Sequence, residues 1–280
     1  MGELHGQARI LGPRYTRAVS TSGPQVPNYG LDAPGVVRKL VVCAGIGALL
    51  WVSTMARLWS GVVTIGPAAF PLGTMGIISF VLCGGMAAWM VWESKVGKLR
   101  ERDRLLNLVP WTGREQVLDV GCGRGLMLIG AARRVPDGRA TGIDIWRAED
   151  LSGNSAEGTL ANAKLEGVAE RVEVQTADMR KIPFPDQSFD VIVSSNAIHN
   201  LYRAPDRAAS LTEIVRVLKP GGWVLIIDIR HFREYARLLE EHGYVEVRRA
   251  RSVFAAGALA MLTFGSLRPA VLVGRRPQAP

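Results

Sequence analysis

Cysteine is scarce in this chain, and several chemical signatures are missing altogether. The 280 residues include three cysteines, Cys43, Cys83 and Cys122, whose spacing matches neither a metal-ligand set nor a disulfide framework. This usage favours a reducing compartment. The sequence also has no Ser-His-Asp set, no zinc-ligand set and no P-loop, so a hydrolase or a kinase finds no support in it.

The composition is more apolar than that of a wholly soluble protein. Hydrophobic residues make up 48% of the chain, and the mean hydropathy is +0.13. The length leaves room for one domain of about 150–200 residues and a further part. The formal net charge of +9 suits nucleic acid, an anionic membrane surface or an acidic substrate, and it does not choose among them.

Charged side chains are absent from residues 40–56 and from residues 58–92. A bilayer core needs about 20 apolar residues per helix, and the run GPAAFP interrupts the second segment. The sequence therefore predicts two membrane-spanning helices, at about Val37–Leu58 and Leu72–Trp92, joined by a turn near Ser60–Pro71. A buried helical hairpin of a soluble protein is the alternative interpretation.

Basic residues flank this predicted hairpin on both sides, whereas the connecting turn has only Arg57 at its edge. Since positive residues stay on the cytoplasmic side, we expect a multi-pass membrane protein whose N-terminus and C-terminal part are cytoplasmic. The predicted organisation is a flexible tail at 1–35, a transmembrane hairpin at 36–92, an amphipathic connecting helix at 93–112 and a folded domain at 113–280.

Strand and helix signals alternate after residue 113, which predicts an α/β fold with a mainly parallel sheet and helices on both faces. Ligands of such sheets bind at the carboxyl ends of the strands. The strand signals are Gln116–Val120, Ala140–Ile143, Val172–Gln175, Asp190–Ser194, Val224–Ile229, about Val245–Arg249 and about Ala270–Gly274. The helical segments lie near Leu126–Arg134, Ser155–Glu166, Pro205–Leu218 and Phe232–His242.

The first of these strands runs straight into a glycine-rich turn, in the stretch VLDVGCGRG. Gly121, Gly123 and Gly125 follow the pattern G-x-G-x-G rather than the G-x-G-x-x-G of a dinucleotide fingerprint. The next strand ends at Asp144 in GIDIW, and an acid at this place can accept hydrogen bonds from ribose hydroxyls. Two further motifs follow, ADMRKIPFPDQSFDVIVSSNAIHNL and RVLKPGGWVLIIDI.

These four ordered motifs resemble those of the class I S-adenosylmethionine-dependent methyltransferases, above all the type 11 branch with the ubiquinone/menaquinone methyltransferases. The resemblance covers about Leu105 to Val273. It implies a Rossmann-like seven-stranded sheet and S-adenosylmethionine as the cofactor. We expect no metal ion, because the sequence shows no metal-ligand set. A sulfonium methyl group is already activated, so the protein has to align the nucleophile with it and exclude water.

The resemblance also implies roles for residues on the first two strands. Asp119 would help to hold the amino group of the cofactor, and the three glycines would let the backbone pass close to its methionine part. Asp144 would bind the ribose hydroxyls. Ile145 and Trp146 would flank the adenine, on which Trp146 can stack. Turn formation, helix capping or core packing is the structural alternative for each of them.

Further roles follow for the next two strands. Asp178 would accept a hydrogen bond from the adenine amino group, Met179 would pack beside the ring, and Asn196 would line the methionine end. The stretch WRAEDLSGNSAEG is longer than the family pattern, so we expect Asn154 or Ser155 to cap the following helix. This longer loop could also lie over the cofactor or the substrate.

A general base is needed only if the nucleophile has to lose a proton. The candidates on the correct edge of the sheet are His199, Tyr202 and His231. For each histidine, capping or packing is the alternative role. No base assignment follows from the sequence alone.

The leading interpretation is a membrane-anchored methyltransferase whose partners are the bilayer and a small or lipophilic acceptor, such as a quinone, an isoprenoid or a lipid. The apolar stretch SVFAAGALAMLTFGSL, residues 252–267, could form an entrance for such an acceptor. One alternative is methylation of a soluble metabolite or a protein, and another is a non-catalytic cofactor-binding module. Nucleic acid is not an expected partner, because the membrane flanks account for most of the basic charge.

Overall fold

A computed structural model describes residues 26–251 and 270–278 of the chain. Most of the predicted tail and the predicted entrance at 252–267 therefore lie outside the described residues. The α-helices are α1 Pro34–Met55, α2 Leu72–Trp92, α3 Lys98–Leu106, α4 Leu126–Ala132, α5 Ala156–Leu165, α6 Ala204–Val217 and α7 Phe232–Glu241. The strands are β1 Val63–Ile65, β2 Ala68–Phe70, β3 Gln116–Val120, β4 Arg139–Asp144, β5 Val172–Thr176, β6 Phe189–Ser195, β7 Leu218–Asp228, β8 Val245–Arg251 and β9 Ala270–Arg275.

Seven of these strands form one sheet in the order β5-β4-β3-β6-β7-β9-β8. All neighbouring strands are parallel except that β9 runs antiparallel to both β7 and β8. This is the seven-stranded Rossmann-like arrangement that the resemblance implies, and the fold prediction is confirmed.

The core has two halves, one on each face of the sheet. Side chains alternate between the faces along a strand, so Val117 of β3 packs into one apolar cluster and Leu118 into the other. Residues of α3, α4 and α5 complete the first cluster, and residues of α6 and α7 complete the second. Burial on both faces explains why the central strands are almost wholly apolar.

Helices α1 and α2 form an antiparallel hairpin that extends from this domain. They contain 22 and 21 residues, which corresponds to about 32 Å at 1.5 Å per residue. A Cβ on Gly47 would lie 2.5 Å from the carbonyl oxygen of Gly76, so the two backbones touch. The apolar windows of the two helices are only 17% and 11% buried. By length and composition, both helices could cross a membrane.

The ends of the hairpin differ in detail from the prediction. α1 begins at Pro34 and ends at Met55, each three residues earlier than predicted, because proline is favoured in the first turn and Arg57 adopts a positive φ of 55°. The predicted turn contains the short antiparallel pair β1 and β2. α2 begins and ends as predicted.

The predicted connecting helix at 93–112 is shorter than expected. α2 continues through a π-helical turn, Glu93–Gly97, into α3, which ends at Leu106. Pro110 lies four residues further along the chain, where it could not continue a helix. The prediction of a helix to residue 112 is therefore wrong at its C-terminal end.

Residues 26–33 were expected to belong to a flexible tail, but they lie against the domain. Tyr29 is 5% exposed, and its hydroxyl donates to the carboxylate of Glu166. Asp32 forms an isolated β-bridge with Leu151. The composition of the tail did not reveal these contacts, because each of them joins residues that are more than 100 positions apart in the chain.

Candidate functional site

The candidate site lies at the carboxyl end of the parallel strands, where the strand order reverses. β3 is flanked by β4 on one side and by β6 on the other, and ligands of open α/β sheets bind at such a switch point. Trp146, Asn196 and His231 adopt positive φ angles of 59°, 51° and 62° shortly after β4, β6 and β7. Backbone strain of this kind concentrates at functional sites. These angles are therefore a second observation that favours a functional site at this edge of the sheet.

The turn between β3 and α4 needs its glycines. Gly121, Gly123 and Gly125 have φ angles of 75°, 52° and 85°, in the left-handed region that glycine adopts without steric cost. A Cβ on Gly121 would also clash with the side chain of Ala197. The N–H group of Gly121 donates to the carbonyl of Ile143 at 2.8 Å. The turn is thus tied to β4 and open to close approach by a ligand.

Asp119 directly precedes this turn, and one of its oxygens is unpaired. The residue is 2% exposed, and no described group forms a hydrogen bond with its Oδ1. Burial, opposed by a hydrogen bond from the N–H group of Leu128 and assisted by the charge of Asp144, raises the pKa of Asp119 to about 8. A cation that reached Oδ1 would offset this cost of burial. Asp119 therefore fits the ammonium group of an amino acid.

Asp144 ends β4 and binds the glycine turn through its carboxylate. Its Oδ2 accepts from the N–H group of Gly123 at 2.8 Å, and its Oδ1 accepts from the N–H group of Trp146 at 2.6 Å. Nδ2 of Asn154 also donates to Oδ1, at 3.3 Å. Because a carboxylate oxygen has about two acceptor positions, Oδ2 retains one for a ribose hydroxyl.

The two predicted adenine-flanking residues after β4 differ from each other. Ile145 is 44% exposed, whereas Trp146 packs partly buried against the core. Nε1 of Trp146 donates to the hydroxyl of Thr176 at the end of β5, at 2.8 Å. This bond fixes the indole between two strand ends. Ser155, not Asn154, caps α5, since its hydroxyl accepts from the N–H group of Gly158.

The predicted contacts on the loop after β5 also have different surroundings. Nη2 and Nε of Arg180 donate to the Asp178 carboxylate at 2.6 and 3.0 Å, and this bonding lowers the pKa of Asp178. Cε of Met179 lies 3.6 Å from the position that a Cβ on Gly121 would take. The structure thus brings Met179 to the glycine turn and pairs Asp178 with a neighbouring cation.

His199 is held by a buried carboxylate. Its Nδ1 lies 2.5 Å from Oδ1 of Asp228, a close contact that does not have the geometry of a hydrogen bond to any described group. Asp228 is fully buried as a side chain and accepts from the N–H groups of His199 and Ile229 at 3.1 and 2.8 Å. The hydroxyl of Tyr235 donates to it at 3.2 Å. Asp228 therefore orients His199 at the end of β6.

The other predicted residues at this edge are less constrained. Tyr202 is 89% exposed. The His231 side chain is 34% exposed, its Nδ1 lies 3.6 Å from Glu234, and burial lowers the pKa of His231. Asn196 is exposed, and its N–H group donates to Ile227 at 2.8 Å. Of the predicted catalytic residues, His199 is the one that a buried acid positions.

Sequence reasoning missed Asp228, Tyr235 and Thr176, and it named Asn154 only as a helix cap and not as a partner of Asp144. One signal was present for Asp228, because it ends β7 in LIIDI as Asp144 ends β4 in GIDI. The partners Tyr235 and Thr176 have no such signal, since a tyrosine in a helix and a threonine in a strand are ordinary residues. Among the described residues, no cluster of three or more His, Cys, Asp or Glu side chains could hold a metal ion.

Comparison with known proteins identifies relatives of this part of the chain. Residues 118–226 match a family described as "Methyltransferase domain". The 27-O-demethylrifamycin SV methyltransferase of Amycolatopsis mediterranei is 32% identical over 142 residues, which is 49% of this chain and 48% of that protein. The ubiquinone/menaquinone biosynthesis C-methyltransferase UbiE of Geotalea daltonii is 37% identical over 114 residues, 40% of this chain and 45% of that protein. The chain thus spans less than half the length of either relative.

Solved structures share the fold at low sequence identity. The [4+2]-cyclase SpnF has a TM-score of 0.53 at 18% identity, covering 65% of this chain and 81% of that one. The geranyl diphosphate C-methyltransferase of Streptomyces coelicolor A3(2), in complex with S-adenosyl-L-homocysteine, has a TM-score of 0.51 at 18% identity, covering 63% of this chain and 78% of that one. These similarities establish the architecture of the domain and nothing more specific.

Proposed function

Because residues 118–226 match a family described as a methyltransferase domain, we propose that the chain is a membrane-anchored S-adenosylmethionine-dependent methyltransferase. Its acceptor is a small or lipophilic molecule of the quinone, isoprenoid or lipid type. The observation that carries the proposal is the buried, unpaired Oδ1 of Asp119 beside the glycine turn that Asp144 holds.

The cofactor would supply a methyl group that its sulfonium already activates. In this proposal Asp119 holds the ammonium group of the cofactor, and the turn at 121–125 admits its methionine part. The free acceptor position on Asp144 binds the ribose. Ile145 and Trp146 flank the adenine, Met179 packs beside its ring, and Asp178 accepts a hydrogen bond from its amino group. Asn196 lines the methionine end.

His199 is the residue that we assign to the acceptor side. The Asp228 carboxylate faces its Nδ1 and leaves Nε2 free to take a proton from an acceptor that has to lose one. Ala197, two residues earlier, contacts the glycine turn, so His199 belongs to the same crevice as the cofactor residues. Tyr202 and His231 lie further out at the same edge as candidate contacts to the acceptor.

The helical hairpin supports the lipophilic acceptor. Its two helices are apolar, long enough to span a bilayer and mostly uncovered by the described chain. A tether raises the local concentration of an enzyme near substrates dissolved in the membrane. One of the relatives is named as a ubiquinone/menaquinone biosynthesis C-methyltransferase, and quinones belong to the proposed class of acceptor. With basic residues on both flanks, the domain is on the cytoplasmic side in this proposal.

A second candidate acceptor is a soluble small molecule, with the hairpin serving only for location. The relative named 27-O-demethylrifamycin SV methyltransferase favours this alternative, because its name mentions neither a quinone nor a lipid. The two candidates share the cofactor residues and differ in where the product accumulates.

Methyl-labelled S-adenosylmethionine separates these possibilities. The purified full-length protein is incubated with it and with native membranes, and the mixture is then extracted with organic solvent. We expect label in the organic phase for the wild type and for Asp137→Asn, and much less for Asp144→Asn. Asp137 is the matched control, because it is exposed and lies at the opposite end of β4.

The distribution of label decides the outcome. Label confined to the aqueous fraction would overturn the lipophilic acceptor and support the soluble one. Label confined to protein would make a protein the acceptor. Cofactor binding without any transfer would contradict both enzyme proposals and leave a binding module.

A further inference from the structure

The segment at 28–33, which we call the strap, lies between the helix that leaves the hairpin and the candidate cofactor loops. On the helix side, Nζ of Lys98 donates to the carbonyls of Tyr29 and Gly30 at 3.0 and 2.9 Å. The hydroxyl of Ser94 donates to the Asp32 carboxylate at 3.3 Å. α1 begins directly after the strap, at Pro34. The strap therefore contacts both ends of the hairpin. It runs directly into α1, and it forms hydrogen bonds with side chains that follow α2.

On the other side, one buried amide joins the strap to the glycine turn. Asn162 of α5 is 2% exposed. Its Nδ2 donates to the carbonyl of Asn28 at 2.9 Å and to that of Arg124 at 3.0 Å, and its Oδ1 accepts from the N–H group of Asn28 at 2.8 Å. Arg124 lies between Gly123 and Gly125, so this amide fixes the backbone of the turn against the strap.

The strap also holds the long loop that follows β4. The hydroxyl of Ser152 accepts from the N–H group of Leu31 at 2.7 Å, and the N–H group of Ser152 donates back to the Leu31 carbonyl at 3.2 Å. The N–H group of Ala33 donates to Asp150 at 3.3 Å. Asn154, at the end of this loop, is a hydrogen-bond partner of Asp144. The loop at 147–154, which is longer than the family pattern, is thus bound to the strap, which lies outside that pattern.

A buried polar cluster secures the strap. The Tyr29 hydroxyl donates to Glu166, whose carboxylate also accepts from Arg102 at 3.1 Å and from Arg133 at 2.9 Å. Arg102 is 4% exposed. Because buried polar groups that are matched in this way favour one geometry, the cluster stabilises this position of the strap on the domain.

From these contacts we infer that the strap presets the turn at 121–125 and the loop at 147–154 for cofactor binding. Asn162 and Ser152 are its positioning residues, since they hold the two loops without taking a place among the cofactor residues. Loops that are already ordered lose less conformational entropy when a ligand binds. The identity of this ligand as S-adenosylmethionine rests on the proposed function.

Calorimetric titration of S-adenosylhomocysteine into the full-length protein in detergent tests the inference. Loss of the Leu31 bond in Ser152→Ala should weaken binding about three- to tenfold, as expected for one hydrogen bond. Ser152→Thr keeps the hydroxyl and should restore the affinity. Ser188→Ala is the matched control, because it also removes one hydroxyl hydrogen bond, to the carbonyl of Pro185. Ser188 directly precedes β6 and so lies at the amino ends of the strands, away from the candidate site.

The buried amide should have the larger effect. We expect Asn162→Ala to weaken binding by about tenfold or more, since three hydrogen bonds are lost, while exposed Lys164→Ala on the same helix leaves it unchanged. In hydrogen exchange, S-adenosylhomocysteine should protect residues 28–33 together with residues 121–125 in the wild type. In Ser152→Ala this protection of the strap should be reduced, while the ligand-free variant remains folded.

The outcomes separate the two proposals. A wild-type protein that binds no S-adenosylhomocysteine would contradict the proposed function and the role of the strap with it. A wild-type protein that binds, with equal affinity in folded Ser152→Ala and no protection of residues 28–33, would overturn the strap alone. Should Asn162→Ala fail to fold, the Ser152 pair still decides the question.

Discussion

Asp119 shows how a single side chain can be unfavourable for the free protein and useful for the bound one. Burial raises the pKa of Asp119 to about 8, whereas an unfolded aspartate has a pKa of about 3.9. The folded protein therefore binds the proton more tightly than the unfolded chain. The stability that this proton contributes is complete below about pH 4 and is lost as the pH rises through about 8.

Asp119→Asn mimics the protonated acid at every pH. We expect the ligand-free variant to melt at least about 2–4 °C above the wild type at pH 8, the shift for about 1 kcal/mol, with a smaller difference at pH 5. Binding of S-adenosylmethionine should weaken about 10- to 100-fold, because a hydrogen bond to a charged group is lost. Melting curves at both pH values and calorimetric titration measure the two effects. A less stable variant that binds normally would contradict this role.

His199 differs from Asp119 in that its role belongs to the reaction and not to binding. If the acceptor loses a proton to Nε2, His199→Ala should lower kcat about 10²- to 10⁴-fold and leave the affinity for S-adenosylhomocysteine unchanged. The control is His242→Ala, an exposed histidine whose Nδ1 contacts the carbonyl of Leu238 at 2.7 Å. Equal kcat values for both variants would assign His199 to packing.

At the scale of elements, the glycine turn depends on both backbone conformation and space. Gly121→Ala introduces a side chain at a φ of 75° and drives it into Ala197. Gly167→Ala is a matched control, because its φ is 69° and its new Cβ would meet nothing within 4 Å. Both variants carry the conformational cost of about 1–2 kcal/mol, and only the first adds a clash.

We therefore expect Gly121→Ala to be the less stable of the two and to lose measurable cofactor binding. Gly167→Ala should bind like the wild type despite its lower melting temperature. Melting curves and calorimetric titration of both variants provide the comparison. Equal binding by the two would show that the turn tolerates a side chain and that the cofactor does not approach it.

The sequence predicts an element well when the residues that determine it are close together in the chain. The sheet strands and the turn at 121–125 could be placed, because continuous apolar runs and glycine spacing are visible within a few residues. The pair β1 and β2 was missed, since its six residues are exposed and carry no alternating pattern. α3 was predicted too long, although Pro110 could have marked its limit.

The site residues divide in the same way. Asp119 and Asp144 belong to motifs that can be recognised in the sequence. The contact of Asp228 with His199 and the contact of the strap with the turn at Arg124 join residues that are far apart in the chain. Asp228 is 29 positions from His199, and Asn28 is 134 positions from Asn162. No local pattern in a single sequence reports such pairs.

At the scale of the whole molecule, the proposed orientation places both chain ends on one side of a membrane. In a background with Cys43, Cys83 and Cys122 replaced by alanine, a membrane-impermeant maleimide should label Ser60→Cys on intact cells, because that exposed residue lies between α1 and α2. Asp137→Cys in the domain should be labelled only after lysis. On intact cells, labelling of Asp137→Cys without Ser60→Cys would reverse the topology, and labelling of neither before lysis would contradict a hairpin that spans the membrane.

The crevice around Asp119 and Asp144 is the proposed cofactor site. Calorimetric titration of S-adenosylmethionine into the full-length protein in detergent measures binding there. We expect one site per chain, with about tenfold or more weaker binding in Asp144→Asn and unchanged binding in Asp137→Asn at the other end of β4. Absence of binding to the wild type, or equal binding by Asp144→Asn, would contradict this assignment.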